Sequence, residues 1–114
     1  MAVDIVENLI SSAEVAYKSG HTRLAIRHAK SAVKVCSEPG KLTALRIFIA
    51  RAYSRLGKYR ESSVLYRELI DEKNYLPPVI MGLLYNNFHS DSIKNVQTLE
   101  KISRNLGLIK IFVR

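Results

Sequence analysis

Cysteine, tryptophan, proline and glycine are all scarce in this chain of 114 residues: one, none, three and five respectively. With Cys36 as the only cysteine, no intramolecular disulfide can form, and a reducing compartment is the expected setting. No apolar run approaches the ~18 residues that a membrane span needs, so no membrane partner is expected. Met1 to Ile10 carries Asp4 and Glu7 and no basic region ahead of an apolar stretch, so it does not read as a secretory signal. A cytoplasmic or nuclear location is the expectation that remains. Asn-Gly and Asp-Gly pairs are absent, as is any long strict alternation, which removes the usual signs of β-hairpins. Acids are few: 10 against 18 lysines and arginines, a formal charge of +8 and a pI near 9.8. An excess of this sign favours nucleic acid, an anionic surface or an acidic protein as partner. Hydrophobic residues at 47% and charged residues at 25% place the chain among globular proteins rather than disordered or collagen-like ones.

The scarce glycines and prolines fall between segments of helical length. Gly20, Pro39-Gly40, Gly57, Pro77-Pro78 and Gly107 mark most of the breaks, and the stretches between them carry apolar residues at three- and four-residue steps. Val6, Leu9, Ala13, Ala16 and Tyr17 share one face; Ala25, Ala29, Ala32, Val33 and Cys36 a second; Leu45, Ile49, Ala52, Tyr53 and Leu56 a third; Leu65, Leu69 and Ile70 a fourth. A fifth helix is expected from Pro77-Pro78, since proline suits a first turn, with Ile80, Leu84 and Phe88 as its core face. A sixth is expected from Asp91-Ser92, with Ile93, Val96, Leu99, Ile102 and Leu106 facing inward and Gly107 closing it. Six helices with short joins make three pairs, at about 3–37, 41–73 and 77–107, and leave 108–114 as an apolar tail. Residues 12–34 also lie over 49–71 at an offset of 37, Ala13 on Ala50, Gly20 on Gly57 and Arg23 on Arg60. Such a period belongs to the solenoid class.

Ala50, Tyr53, Gly57, Tyr59 and Tyr66 in the second unit, with Ala13, Gly20, Ala25 and Ala32 in the first, resemble the tetratricopeptide repeat, a pair of antiparallel helices of about 34 residues. The resemblance implies an all-α, right-handed stack of three antiparallel helix pairs and a non-catalytic role in binding or scaffolding other proteins. The turn Leu56-Gly57-Lys58-Tyr59 and the runs Tyr66 to Ile70 and Gly82-Leu83-Leu84 further resemble the tetratricopeptide scaffold subunits of the anaphase-promoting complex, a ubiquitin ligase of the cell cycle. This implies a structural role in an assembly and homodimer formation.

Little points to catalysis. Glu38-Pro39-Gly40-Lys41 lacks the leading glycine of a phosphate loop. His21, His28 and His89 share no metal spacing with Cys36, which is expected to pack against Ala29 and Ala32. Asp71-Glu72 reads as a solvated turn. No enzyme activity, cofactor, metal or small-molecule substrate is expected.

Three surfaces stand out instead. Arg23, Arg27, Lys30 and Lys34 form a basic stripe nearly opposite the alanines of their helix; it is either a solvated face or a strip for an acidic protein or nucleic acid. The absence of aromatics between the cations counts against nucleic acid. By the resemblance, the first helices of the pairs line a groove, with Lys18, Arg51, Arg55, Tyr85 and Asn86 pointing into it and Ile10 and Ile47 as an apolar floor. Such a groove favours an acidic, extended or helical segment. Ile10 and Glu14 stand where some family members clamp a C-terminal carboxylate, so that mode is not expected. Leu108, Ile109, Ile111 and Phe112 in the tail are too apolar for open water and are expected to mediate self-association.

Overall fold

The structure is a computed structural model that describes residues 4–90 and 92–105. Six α-helices account for most of them, with no strand among the described residues: α1 (Ile5–Lys18), α2 (Thr22–Val35), α3 (Pro39–Arg55), α4 (Tyr59–Asp71), α5 (Pro77–His89) and α6 (Ile93–Asn105). The local chemistry explains the boundaries. Asp4 caps α1 by accepting from the backbone N–H groups of Val6 and Glu7, where a carboxylate also meets the positive end of the helix. Proline occupies the first turns of α3 and α5, where its missing N–H is no loss. Ser92 accepts from the Asn95 N–H at 3.3 Å at the start of α6. The expected roles of Asp91, Leu106, Gly107 and the tail lie outside the described residues.

The repeat of 37 residues is a repeat of geometry. Gly20 and Gly57 both take positive φ, +86° and +78°, and the next N–H in each case reaches back five residues, His21 to the Ala16 carbonyl and Lys58 to that of Tyr53. This is the glycine-dependent closure of a helix. His21 and Lys58 then have the same φ and ψ, −90° and 67°. The same closure ends α4, where Asn74 reaches the Leu69 carbonyl, but Lys73 holds the left-handed position with φ 69°.

Consecutive helices pack in order from α1 to α6, and α3 also touches α5, and α4 touches α6. The described chain measures 56 × 27 × 17 Å. A helix with side chains is about 10 Å across, so the molecule is an elongated body two helices thick. Its core has two centres. Ala13, Ile26, Ala29, Ala32, Leu45, Ile49 and Ala52 bring α1, α2 and α3 together; the alanines let the helix axes approach closely. Ile47, Ala50, Tyr66, Leu69, Ile70, Val79, Leu83, Leu99 and Ile102 unite α3 to α6. Gly82 belongs to this second centre by what it lacks: a Cβ there would lie 2.2 Å from the Tyr66 ring.

Two helix faces differ from the sequence expectation. In α5 Ile80 and Leu84 pack half-buried against the core as expected, but the fully buried residues are Val79, Leu83 and Asn86, and Phe88 is 85% exposed. In α6 Leu99 and Ile102 are buried as expected, together with Asn95 and Ser103, while Ile93 is 72% exposed and Val96 is also exposed. Both helices are turned so that an asparagine enters the interior. Cys36 is the C-cap of α2, half-buried, its thiol directed at the Glu38 carbonyl at 3.7 Å, rather than a fully packed face residue.

Candidate functional site

The inward asparagines explain the turned helices. Asn86 accepts from the Ser54 hydroxyl at 2.8 Å and donates to Ser62 at 2.8 Å and Ser63 at 3.1 Å. Ser62 donates on to the Ala50 carbonyl. Asn95 donates to Ser63 at 2.9 Å and accepts from the Arg67 guanidinium. These contacts form one buried chain through α3, α5, α4 and α6. Asn86 is therefore a core residue and not a groove residue: its amide is fully buried because three hydroxyls satisfy it.

The remaining residues named for the groove are brought to one side of the body. A hollow of about 410 Å³ lies between α1 and α3, with Ile10, Ala13, Tyr17, Ile47 and Phe48 among its apolar lining and Lys18, Lys41, Arg51 and Glu14 among its charged lining. The rings of Tyr17 and Phe48 are 5.3 Å apart between centroids and tilted. Farther along, Tyr17 and Arg51 also border a smaller hollow with Arg55, Tyr66, Gly82 and Tyr85. The two hollows adjoin at Tyr17 and Arg51, which line both, and together follow α1, α3 and α5. Burial pushes the Tyr66 phenol above its usual pKa, so it is neutral there.

The four groove cations are not equivalent. The Arg55 guanidinium donates to the Tyr17 carbonyl at 2.7 Å and lies 4.1 Å from the centre of its ring, which ties the end of α3 to α1. Lys41 is held among Glu7, Glu38 at 3.4 Å and Asp4 at 4.0 Å, and its pKa is raised chiefly by its hydrogen bond to Glu7 and further by Glu38. Lys18 and Arg51 are exposed and form no salt bridge among the described residues. They are the charges the groove can offer.

The basic stripe lies elsewhere. Arg23, Arg27, Lys30 and Lys34 are all exposed on α2, and Lys30 and Lys34 border a second trough, between α2 and α4. An aromatic does lie beside them, which residue spacing within α2 does not reveal: the Lys30 ammonium is 5.3 Å from the centre of the Tyr53 ring on α3. A third feature had no signal in the periodicity. Tyr59, Tyr85 and His89 gather at the end of α5, His89 stacked on Tyr59 at 5.5 Å and 4.2 Å from Tyr85, with exposed Phe88 beside them. His21 and His28 lie apart from this cluster on α2 and its cap. Among the described residues no three His, Cys, Asp or Glu side chains gather in a way that would hold a metal ion, and no helix is long and apolar enough to cross a membrane. The tail residues Leu108, Ile109, Ile111 and Phe112 lie outside the described residues.

Compared with known proteins, the chain matches no family model, no curated protein and no solved structure.

Proposed function

We propose that the chain is a non-catalytic protein-interaction module, a tetratricopeptide-like stack whose α1–α3–α5 groove holds an acidic segment of another protein. The observation that carries this reading is the pairing of an aromatic-walled hollow with two unpaired cations. Tyr17 and Phe48 offer a seat for a bulky apolar side chain; Lys18 and Arg51 stand beside it to receive carboxylates. Apolar burial supplies affinity and the cations supply register and choice of partner. Under this reading Arg55 builds the groove wall, since both its contacts are within the chain.

The resemblance to the N-terminal part of anaphase-promoting complex subunit 7 proposes the setting: a structural subunit of a ubiquitin ligase. Two of the runs that carry this resemblance touch here, because the Tyr66 ring fills the space left by Gly82.

The test uses extended acidic peptides bearing one phenylalanine, followed by amide chemical-shift changes in the full chain. Shifts at Ile10, Tyr17, Phe48 and Arg51 are expected, with binding weakened about tenfold or more in Lys18→Glu, Arg51→Glu. Unchanged affinity in that variant, with its helicity intact, would end the reading.

A further inference from the structure

The trough between α2 and α4 has a volume of about 650 Å³ and a floor that is almost entirely apolar: Val33, Ile49, Tyr53, Val64 and Leu65. Val64 is exposed. Three cations rim this floor without an ion pair among the described residues, Lys30 and Lys34 on the α2 wall and Arg60 on the α4 wall; Arg46 also borders it but is held by Glu72. One acid, Glu61, lines the trough.

The charge distribution over the molecule makes this rim distinctive. Each salt bridge of the described residues joins a cation on α3 to acids near helix ends: Lys41 to Asp4, Glu7 and Glu38, and Arg46 to Glu72. Among the described residues the α2 stripe has no such partner, and its two C-terminal members overhang the apolar floor. Lys30 and Lys34 are four residues apart, a rise of about 6 Å. Carboxylates four apart on an incoming helix have the same rise, so one helix can address both while its apolar face meets Val33, Tyr53 and Val64. Nucleic acid would use the cations and leave this floor uncovered. Tyr53 is moreover the one aromatic that lines the trough, so successive bases would find no row of rings to stack on.

We propose that the α2–α4 trough is a second docking surface, on different residues from the groove, and that its occupant is an acidic amphipathic helix of a partner protein. The chain would then hold two segments at once, as a scaffold must. The proposal shares with the groove reading only the premise that the chain binds proteins.

The probe is a labelled peptide of about 16 residues, about four helical turns, with leucines at three- and four-residue steps and glutamates elsewhere, titrated into the full chain by fluorescence anisotropy. Saturable binding is expected, weakened about tenfold or more by Lys30→Glu, Lys34→Glu and weakened by Val64→Asp as well. All three substitutions fall at exposed positions, and circular dichroism checks that the variants stay helical. Lys18→Glu, Arg51→Glu is expected to leave this binding unchanged, which separates it from the groove. The proposal is overturned by absence of binding, by loss in the groove variant instead, or by equal binding of a leucine-free glutamate peptide. It is also overturned if a duplex oligonucleotide displaces the peptide and binds in a way that Val64→Asp does not alter.

Discussion

The junction between the first and second helix pairs differs in kind from that between the second and third. At the first, α2 lies on α3, while neither α1 with α3 nor α2 with α4 packs closely. Ala29, Ala32 and Ala52 belong to an alanine-rich seam where α1, α2 and α3 meet; α1 reaches α3 through the longer side chains of Tyr17, Phe48 and Arg55, and the spaces between α1 and α3 and between α2 and α4 leave the groove and the trough. At the second junction α4 lies on α5, and α3 reaches α5 and α4 reaches α6. Its centre is held by the buried Ser54–Asn86–Ser62–Ser63–Asn95 chain. An alanine contact joins two helices through a narrow seam and tolerates open flanks. A hydrogen-bonded chain across four helices fixes their register, and the hollows beside it, along α3 and α5 and along α4 and α6, are lined by mostly polar side chains. Both apolar hollows offered for binding thus flank the alanine seam.

Removing atoms should break the second junction, and adding them should break the first. Asn86→Ala leaves the hydroxyls of Ser54, Ser62 and Ser63 without their shared partner in a dry interior. A cost of about 2–4 kcal/mol is expected from unsatisfied buried groups, read as a lower urea midpoint with unchanged slope. A loss below about 1 kcal/mol would show that these hydroxyls find other acceptors. Ala29 is fully buried in the alanine seam. Ala29→Leu forces α2 from the helices packed on it and is expected to cost about 1–3 kcal/mol by overpacking, with the groove peptide and the trough peptide both losing affinity as the flanks change shape. If stability falls and neither peptide's affinity moves, the seam does not set the width of the hollows.

The same comparison shows how far the residues alone could be read. The helices of the first two pairs were legible because small and large apolar residues repeat at helical spacing against a polar background, and because glycine at 20 and 57 marks two matching turns. The cations on α2 were legible for the same reason. In the third pair Leu99 and Ile102 lie in the core as their spacing implies, whereas Phe88, Ile93 and Val96 do not. Val79, Ile80, Met81, Leu83, Leu84, Tyr85 and Phe88 surround α5 almost completely, so hydrophobic spacing cannot choose a face. What chooses it is Asn86, whose partners Ser54, Ser62 and Ser63 lie far off in sequence. A buried polar side chain looks like a surface residue until its partners are known. Asn86 was placed in the groove, and Phe88 in the core, for that one reason. The division of the groove cations was equally hidden: the bond of Arg55 to the Tyr17 carbonyl spans 38 positions, and nothing local marks it.

The smallest expected effect concerns the one long-range ion pair outside these junctions among the described residues. Arg46 on α3 donates through both terminal nitrogens to the two carboxylate oxygens of Glu72, each at 2.8 Å, and so fastens α3 to the cap of α4. The hydrogen bond from Arg46, opposed by slight desolvation, holds the Glu72 pKa below the usual carboxylate value, and the Arg46 pKa is raised in turn. A carboxyl whose folded pKa is lowered binds its proton more weakly when folded than when unfolded. Its contribution is therefore complete above the ordinary carboxylate pKa and disappears as pH falls through the lowered one. The pair is solvent-exposed and screened by salt, so the contribution is small. Glu72→Gln should lower the melting temperature slightly at neutral pH and low salt, and the gap to the wild type should close in acid or in high salt. A gap that persists unchanged below the ordinary carboxylate range would mean that Glu72 holds the α4 cap by packing rather than by charge.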